Sequence, residues 1–187
     1  AEHEQVQAMA AELRRHPVAS ALFDPEKGKP EQSLFWQDAA TGVWCRARLD
    51  WLPDITARDR LIVADYKSCA SASPRAIARS VASYGYHQQD PWYRDAVRAL
   101  GLSDDPAFLF VFQEKDPPYL ITIAELHPDT VREGRDLNRE AIEVYRDCAQ
   151  AGIWPGYEAE AVRAGRWTGI EQISIPPWAY RKPEEYR

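Results

Sequence analysis

The chain of 187 residues carries a formal net charge of −6, and 45% of its residues are hydrophobic and 11% aromatic. This length and composition indicate a single folded domain with a sizeable core and exclude a disordered chain. No apolar run approaches the roughly 20 residues that span a bilayer, nothing resembles a signal peptide, and three widely spaced cysteines exclude a four-cysteine metal centre, so we expect a cytoplasmic protein with reduced thiols.

The first half of the chain predicts two helices followed by three strands. Hydrophobic residues recur at helical spacing near the start, and alternating or continuous apolar residues mark the strands. The predicted ranges are 2–15 and 18–23 for the helices, 24–30 for a polar loop, and 33–37, 42–51 and 61–66 for the strands. The first two strands are expected to form a hairpin.

The second half begins with Ser73-Pro74, which is typical of a helix start because serine caps the first turn and proline fits the first helical position. We expect Pro91 to kink or split this helix, with Asp90 capping a second helix that ends at Gly101. The remaining predicted elements are strands over 108–112 and 119–126, a helix over 128–151, a short helical piece after Tyr157, a strand over 170–175 and a proline-rich tail over 176–187.

This order predicts a mixed β-sheet flanked by helices, an α/β or α+β fold in which the first three strands are neighbours. We expect one domain over residues 1–187. Because the chain opens directly in a helical pattern without an initiator methionine, we also expect that a segment on its N-terminal side is missing.

Charged residues lie near the ends of two neighbouring predicted strands. Arg46, Arg48 and Asp50 alternate along one strand and therefore share a face, as do Asp65 and Lys67 on the next. A solvated ion pair at a strand end is the simpler interpretation. A charge that ends a buried strand favours a polar cleft, however, and two carboxylates beside an ammonium group suit a hard divalent cation and phosphodiester hydrolysis.

The helix that follows adds two polar side chains. Gln89 and Tyr93 lie four residues apart and so share a helix face. Gln89 could hydrogen-bond a nucleophilic water or a phosphate, and Tyr93 could contact the phosphate chain or pack in the core. The acidic chain also contains local basic clusters, and we expect the arginines Arg46, Arg48, Arg75 and Arg79 to bind DNA.

The order Asp50, then Asp65-Tyr-Lys67, then Gln89 and Tyr93 in the next helix resembles the PD-(D/E)xK nuclease superfamily. Within it the chain is most similar to the RecB-like branch and to RecE-type phage and prophage exonucleases, of the exodeoxyribonuclease VIII kind. The segments Glu31-Gln-Ser-Leu-Phe-Trp36 and Trp154-Pro-Gly-Tyr157 also resemble that group. The resemblance covers about residues 4–157 and implies a restriction-endonuclease-like core.

The resemblance implies a Mg²⁺- or Mn²⁺-dependent deoxyribonuclease that degrades one strand of double-stranded DNA from its 5′ end. It implies that Asp50, Asp65 and the backbone carbonyl of Tyr66 are metal ligands, that Lys67 is the catalytic lysine, and that Gln89 and Tyr93 are catalytic contacts from the helix. It further implies a homo-oligomeric ring and a single-strand annealing partner in phage-type recombination, with no membrane involved.

The chain departs from this pattern in two respects, of which one is Pro91 inside the motif helix, where a kink would alter the geometry of Gln89 and Tyr93. The other concerns a metal-binding histidine. The RecB-like branch supplies a metal-binding histidine after a Gly-Thr signature, and neither His3 nor His16 lies in that context. We expect His16 to cap a helix or face solvent, and the ligand histidine to lie before Ala1. A catalytically impaired DNA-binding or assembly module of the same fold, or a structure-specific endonuclease, remain alternatives.

Overall fold

The computed structural model describes residues 2–54, 60–157, 170 and 173–179. Close contacts divide the chain into two compact units, Ala1–Arg146 and Asp147–Arg187. The first unit holds the sheet and the helices that cover it. In the second, the described residues form the end of a long helix and one 3₁₀ turn.

The helices and strands follow the predicted order closely. The described helices are α1 Glu2–Arg15, α2 Pro17–Leu22, α3 Pro74–Tyr84, α4 Tyr86–Ala99 and α5 Pro128–Ala151, with the 3₁₀ turn at Pro177–Ala179. The described strands are β1 Gly28–Gln37, β2 Trp44–Pro53, β3 Ile62–Cys69, β4 Ala107–Glu114 and β5 Ile121–Ala124. None of the described helices is long and apolar enough to cross a membrane.

The strands form one five-stranded sheet in the order β1-β2-β3-β4-β5. Among the described strands, β3 and β4 pair in parallel, and the other three neighbouring pairs are antiparallel. A parallel pair needs a crossover connection, which α3 and α4 supply. The predicted mixed sheet, α+β fold and adjacency of the first three strands are therefore confirmed.

The core lies between the sheet and the helix pair α3–α4. Phe108, Phe110 and Phe112 alternate along β4 and are fully buried on that face. The rings of Tyr86 and Tyr93 on α4 pack against them, with centroids 5.7 Å apart for Tyr86 and Phe110. Burying one such aromatic side chain contributes roughly 1.5–3 kcal/mol, so these contacts hold α4 firmly against β3 and β4.

The prediction of a loop over residues 24–30 was wrong at its end, because β1 already begins at Gly28. β1 is the edge strand of the sheet, so its outer backbone groups need no strand partner and Pro30 is tolerated there. A side chain at Gly28 would collide with the indole of Trp51, which explains the glycine. The polar and turn-forming residues of this segment are typical of a loop, although the last of them form the first residues of β1 in the structure.

The helix does not split at Pro91, since the break lies at Gly85, whose φ of 68° ends α3 in the left-handed conformation. Pro91 lies inside α4, where its missing N–H leaves the carbonyl of His87 without a helical donor. Gly134 of α5 packs directly on that carbonyl, because a Cβ at this position would collide with it. Asn138 donates a hydrogen bond to the next carbonyl, that of Gln88, at 2.8 Å.

Asp90 does not cap a helix as predicted. Its carboxylate is fully buried in α4 and forms a two-point ion pair with Arg94 one turn later. Arg94 also donates to the carbonyl of Pro106, at 3.4 Å, just before β4 begins. This pair therefore fastens the middle of α4 to the sheet.

The capping predictions for Ser73 and His16 are confirmed. The Ser73 hydroxyl accepts a hydrogen bond from the Ala76 N–H at the start of α3, and Nδ1 of His16 accepts one from the Ala19 N–H at the start of α2. The strand predicted over 170–175 lies partly outside the described residues, and its described residues are not in a strand. The predicted helical piece after Tyr157 and most of the tail over 176–187 lie outside the described residues.

Candidate functional site

The site begins where β2 and β3 separate. The two strands are paired at Trp51 and Ala64, and beyond this point helix α4 supplies hydrogen bonds to β2 that a neighbouring strand would otherwise make. Trp92 Nε1 donates to the carbonyl of Arg46 at 3.0 Å, and the Tyr93 hydroxyl donates to the carbonyl of Arg48 at 2.8 Å. Two side chains of α4 thus donate hydrogen bonds to the unpaired carbonyl groups of β2, and they keep β2 and β3 apart.

On the other side of the gap, the Asp50 side chain binds a backbone group of β3 that has no strand partner there. Its Oδ2 accepts a hydrogen bond from the Tyr66 N–H at 2.9 Å, so the carboxylate reaches into the gap between the strands. In a β-strand the N–H and the C=O of one residue point to the same side. The carbonyl of Tyr66 therefore also faces the gap, next to the Asp50 carboxylate.

Asp65 lies on the α4 side of β3 and is buried. Its Oδ1 accepts a hydrogen bond from the Gln89 side chain, and its Oδ2 forms an ion pair with Lys67. The shared face that strand alternation predicts for Asp65 and Lys67 is therefore present, and Gln89 joins them from α4.

The environment raises the pKa of Asp65 to about 6. Burial is the main cause, because it penalises the charged carboxylate, and the negative charge of Asp50 raises the pKa further. Lys67 and Gln89 act in the opposite direction by stabilising the charged form. Asp50 approaches the same strand from the gap, through its hydrogen bond to the N–H of Tyr66, the residue after Asp65.

The ammonium group of Lys67 is held from two sides. Besides its ion pair with Asp65, Nζ lies 4.9 Å from the centroid of the Tyr86 ring, within cation–π range. The Tyr86 ring is itself fixed by the phenylalanines of β4. No sequence pattern indicates this role for Tyr86, which depends on Gly85 ending α3 and placing Tyr86 at the first position of α4.

Tyr66, between Asp65 and Lys67, faces the other side of the sheet. Its hydroxyl donates to Gln113 Oε1 at 2.7 Å, and the Gln113 amide donates to the carbonyl of Met9 at 2.9 Å. Gln113 is buried, and it connects β3 to α1. A cavity of about 680 Å³ opens beside this chain of hydrogen bonds, lined by Asp50, Tyr66, Ser68 and one face of α1.

Glu31 completes the surroundings of Asp50. By strand register it lies opposite Asp50, yet this pair is missing from the β1–β2 ladder, and the backbone of Glu31 has a φ of 55°. A residue other than glycine seldom adopts that conformation, and such strain is often found near functional sites. The Glu31 carboxylate forms an exposed ion pair with Nε of Arg48 at 2.9 Å.

Residues 1–165 match a family described as "PDDEXK-like domain of unknown function (DUF3799)". The match covers most of the chain. The chain belongs to this PDDEXK-like family.

A solved structure agrees with the family assignment. The crystal structure of "Putative exonuclease" from Eubacterium rectale matches with a TM-score of 0.59 and 13% sequence identity. The match covers 91% of this chain, which spans 63% of the length of that protein. At this identity the likeness shows a shared PDDEXK nuclease-like fold. No curated protein matches the chain.

The PDDEXK-like domain brings together most of the predicted site residues. Asp65, Lys67 and Gln89 lie together on the α4 side of β3. Asp50 reaches into the gap from the opposite face of the sheet, which it shares with Arg46 and Arg48, and Tyr93 borders the gap through its bond to the Arg48 carbonyl. Arg46 and Arg48 continue along β2, whereas Arg75 and Arg79 lie exposed on α3. Trp92, Gln113 and Asn138 were missed, because no local motif indicates which distant backbone group a side chain will meet.

The donor set suits a hard cation but is small. Among the described residues, no three His, Cys, Asp or Glu side chains form a cluster that could hold a metal ion. The PDDEXK-like site offers two carboxylates and the Tyr66 carbonyl, all oxygen donors of the kind that Mg²⁺ prefers. Asp50 uses Oδ2 for the Tyr66 N–H, and Oδ1 accepts no hydrogen bond from a described residue.

Proposed function

We propose that this chain is a deoxyribonuclease that depends on Mg²⁺ or Mn²⁺ and hydrolyses phosphodiester bonds at the gap between β2 and β3. The observation that carries the proposal is the buried Asp65, held by Lys67 and Gln89 beside the carboxylate of Asp50. A buried carboxylate with a raised pKa next to a second carboxylate is typical of a functional site. Family membership supports the same reaction class.

The residues have separate roles in this proposal. Asp50, Asp65 and the Tyr66 carbonyl would hold the cation, which supplies a water of lowered pKa and neutralises charge on the phosphate. Lys67 orients the attacking water and stabilises negative charge that develops on the phosphoryl oxygens. Gln89 fixes the Asp65 carboxylate so that its second oxygen stays turned toward Lys67.

Tyr93 has a different role from the one its position in the motif suggests. Its hydroxyl donates a hydrogen bond to the Arg48 carbonyl, and its ring packs edge-on against Phe108. Tyr93 therefore keeps β2 away from β3 and shapes the opening for the scissile phosphate.

The test is cleavage of duplex DNA by the wild type and by single variants. Lys67→Ala and Asp65→Ala are expected to abolish cleavage in Mg²⁺, and Asp50→Asn is expected to abolish heat release on calorimetric titration with Mn²⁺. Asp136→Asn, which removes an exposed carboxylate from α5, is the matched control and should leave both unchanged. Wild-type activity in Lys67→Ala would show that the assignment is wrong.

We further propose that the enzyme is a 5′-to-3′ exonuclease of the RecE type that acts on double-stranded DNA ends in phage-type recombination. The motif order supports this, and so does the structural neighbour named as an exonuclease. A homo-oligomeric ring and an annealing partner belong to the same proposal. Linear duplexes labelled at the 5′ or the 3′ end measure polarity, and resistance of covalently closed circles separates an exonuclease from a structure-specific endonuclease.

The alternative is a DNA-binding or assembly module of the same fold with impaired catalysis. It is favoured by the small ligand set, in which Lys67 already neutralises one of the two carboxylates. The two candidates differ in Mn²⁺ binding, which only the enzyme requires. In both, Arg46, Arg48, Arg75 and Arg79 would bind phosphates, and the cytoplasmic location expected from the free cysteines stays a prediction.

A further inference from the structure

The outward face of the β1–β2 hairpin has an unusual composition. Along β2 the buried Cys45, Ala47 and Leu49 alternate with the outward residues Trp44, Arg46 and Arg48. On β1 the outward Phe35 lies opposite Arg46 in the strand register. Trp44 is 72% exposed and Phe35 57% exposed, so two large rings and two guanidinium groups share one solvent-facing surface.

We propose that this surface is a track for one unpaired strand of DNA that leads to Asp50. The inference rests on the proposed nuclease function and identifies the form in which its substrate approaches. Bases of the strand stack on Trp44 and Phe35, and its phosphates contact Arg46 and Arg48.

The geometry of β2 supports a linear track. Trp44, Arg46, Arg48 and Asp50 occupy alternate positions, and two residues of a strand advance by about 6.7 Å. This step is close to the reach of one nucleotide in an extended nucleic-acid strand. The series runs from an aromatic ring through two cations to the carboxylate that borders the strand gap, a distance of about 20 Å.

The charges on this face favour a polyanion. The chain as a whole is acidic. Among the described carboxylates, none forms an ion pair with Arg46, and Arg48 pairs with the exposed Glu31. An exposed pair of this kind contributes about 0–1 kcal/mol to stability, so a phosphate can replace Glu31 at little cost.

The rings favour an unpaired strand over a duplex. Aromatic side chains bind single strands by stacking on bases, and the bases of a duplex are already stacked on one another. Trp44 also borders a recess of about 460 Å³ whose other walls include Trp92 and Ile142. This recess is large enough to accept one base that turns out of the strand beside Trp44.

The test measures binding without cleavage. The affinity of a fluorescein-labelled oligothymidine is measured by anisotropy in EDTA over a range of salt concentrations. Trp44→Ala is expected to weaken binding about 5- to 150-fold, the range for removal of one stacking aromatic, and Trp44→Phe should restore most of the affinity. The affinity for a blunt duplex should change much less.

Arg46→Gln gives an independent signature. It should weaken binding and reduce the slope of log affinity against log salt by about 0.7, the value for one phosphate contact on a single strand. Trp44→Ala should leave that slope unchanged, because stacking releases no counterions. Leu120→Ala and Arg132→Gln, which remove similarly exposed side chains elsewhere, are the matched controls and should bind as the wild type does.

Several outcomes would overturn the track. Unchanged single-strand affinity in Trp44→Ala and Arg46→Gln, in an enzyme that still cleaves DNA, would remove the track and leave the proposed nuclease intact. A shift of Trp44→Ala to a smaller species in sedimentation, with binding unaffected, would make this face a contact between copies of the chain. A wild type that binds single strands as described but cleaves nothing in Mg²⁺ or Mn²⁺ would overturn the nuclease and support the track.

Discussion

Asp65 and Lys67, on the α4 side of β3, are 1% and 18% exposed, whereas the side chain of Arg48 on the outward face of β2 is 68% exposed. The first pair is held by a hydrogen bond from Gln89 and by the Tyr86 ring, whereas the Arg48 side chain forms an exposed ion pair with Glu31. A reacting group must stay within a fraction of an ångström of its position, while a strand-binding group must adapt to its ligand. The two faces therefore suit chemistry and binding respectively.

The rigid face depends on the packing of α5 against α4, and this contact gives the largest expected effect. Gly134→Val places a side chain against the His87 carbonyl, where neither backbone can move easily, so we expect a loss of about 3 kcal/mol or more in the free energy of unfolding. Urea denaturation measures it. Glu133→Val, the exposed neighbour on α5, should change stability by less than about 1 kcal/mol. Equal losses in the two variants would contradict the close contact.

The second prediction concerns the protonation of Asp65. Its pKa of about 6 in the folded protein exceeds 3.8, the ordinary pKa of an aspartate side chain, so between these values the folded state binds more protons than the unfolded state. The stabilising contribution is therefore complete below about pH 4 and is lost as the pH rises through 6, by about 3 kcal/mol in total.

Urea titrations of the metal-free protein between pH 4 and pH 7 measure this change. The reference is Asp65→Asn, whose side chain has a similar shape and does not titrate. As the pH rises, the unfolding free energy of the wild type should fall relative to that of the variant. A difference that stays constant over this range would refute the raised pKa.

The third prediction separates the ring of Tyr86 from its volume. Tyr86→Leu removes the cation–π contact with Lys67 and should lower kcat about 5- to 30-fold with little change in KM, because Lys67 acts on the reacting group rather than on DNA binding. Tyr86→Phe keeps the ring face and should retain most of the activity. Equal activity in the Leu and Phe variants would mean that Tyr86 only fills space.

The smallest expected effect is on the adaptable face. Glu31→Gln removes the exposed partner of Arg48 and should change the unfolding free energy by less than about 1 kcal/mol. It should raise the affinity for oligothymidine slightly, because Arg48 no longer exchanges a carboxylate for a phosphate. An affinity that falls instead would show that Glu31 itself holds the strand.

Some elements of the site follow from the local sequence. Alternation along a strand places Asp65 and Lys67 on one face, and Ser73-Pro74 marks the start of α3 correctly. The break between α3 and α4 was misplaced by the same kind of reasoning. Pro91 is the stronger helix breaker in isolation, yet the contacts with α5 accommodate it, and the left-handed glycine at position 85 ends the helix instead.

The sequence by itself determined the order of the elements, the fold class and the shared face of the Asp65-Tyr-Lys67 motif, because periodicity and capping act between residues a few positions apart. Only the tertiary structure decided that Tyr93 donates a hydrogen bond to the Arg48 carbonyl and that Gln113 connects Tyr66 to α1. These partners lie 45 or more residues apart in the chain. Which buried donor meets which acceptor depends on how all the strands and helices pack together, and no local pattern encodes that.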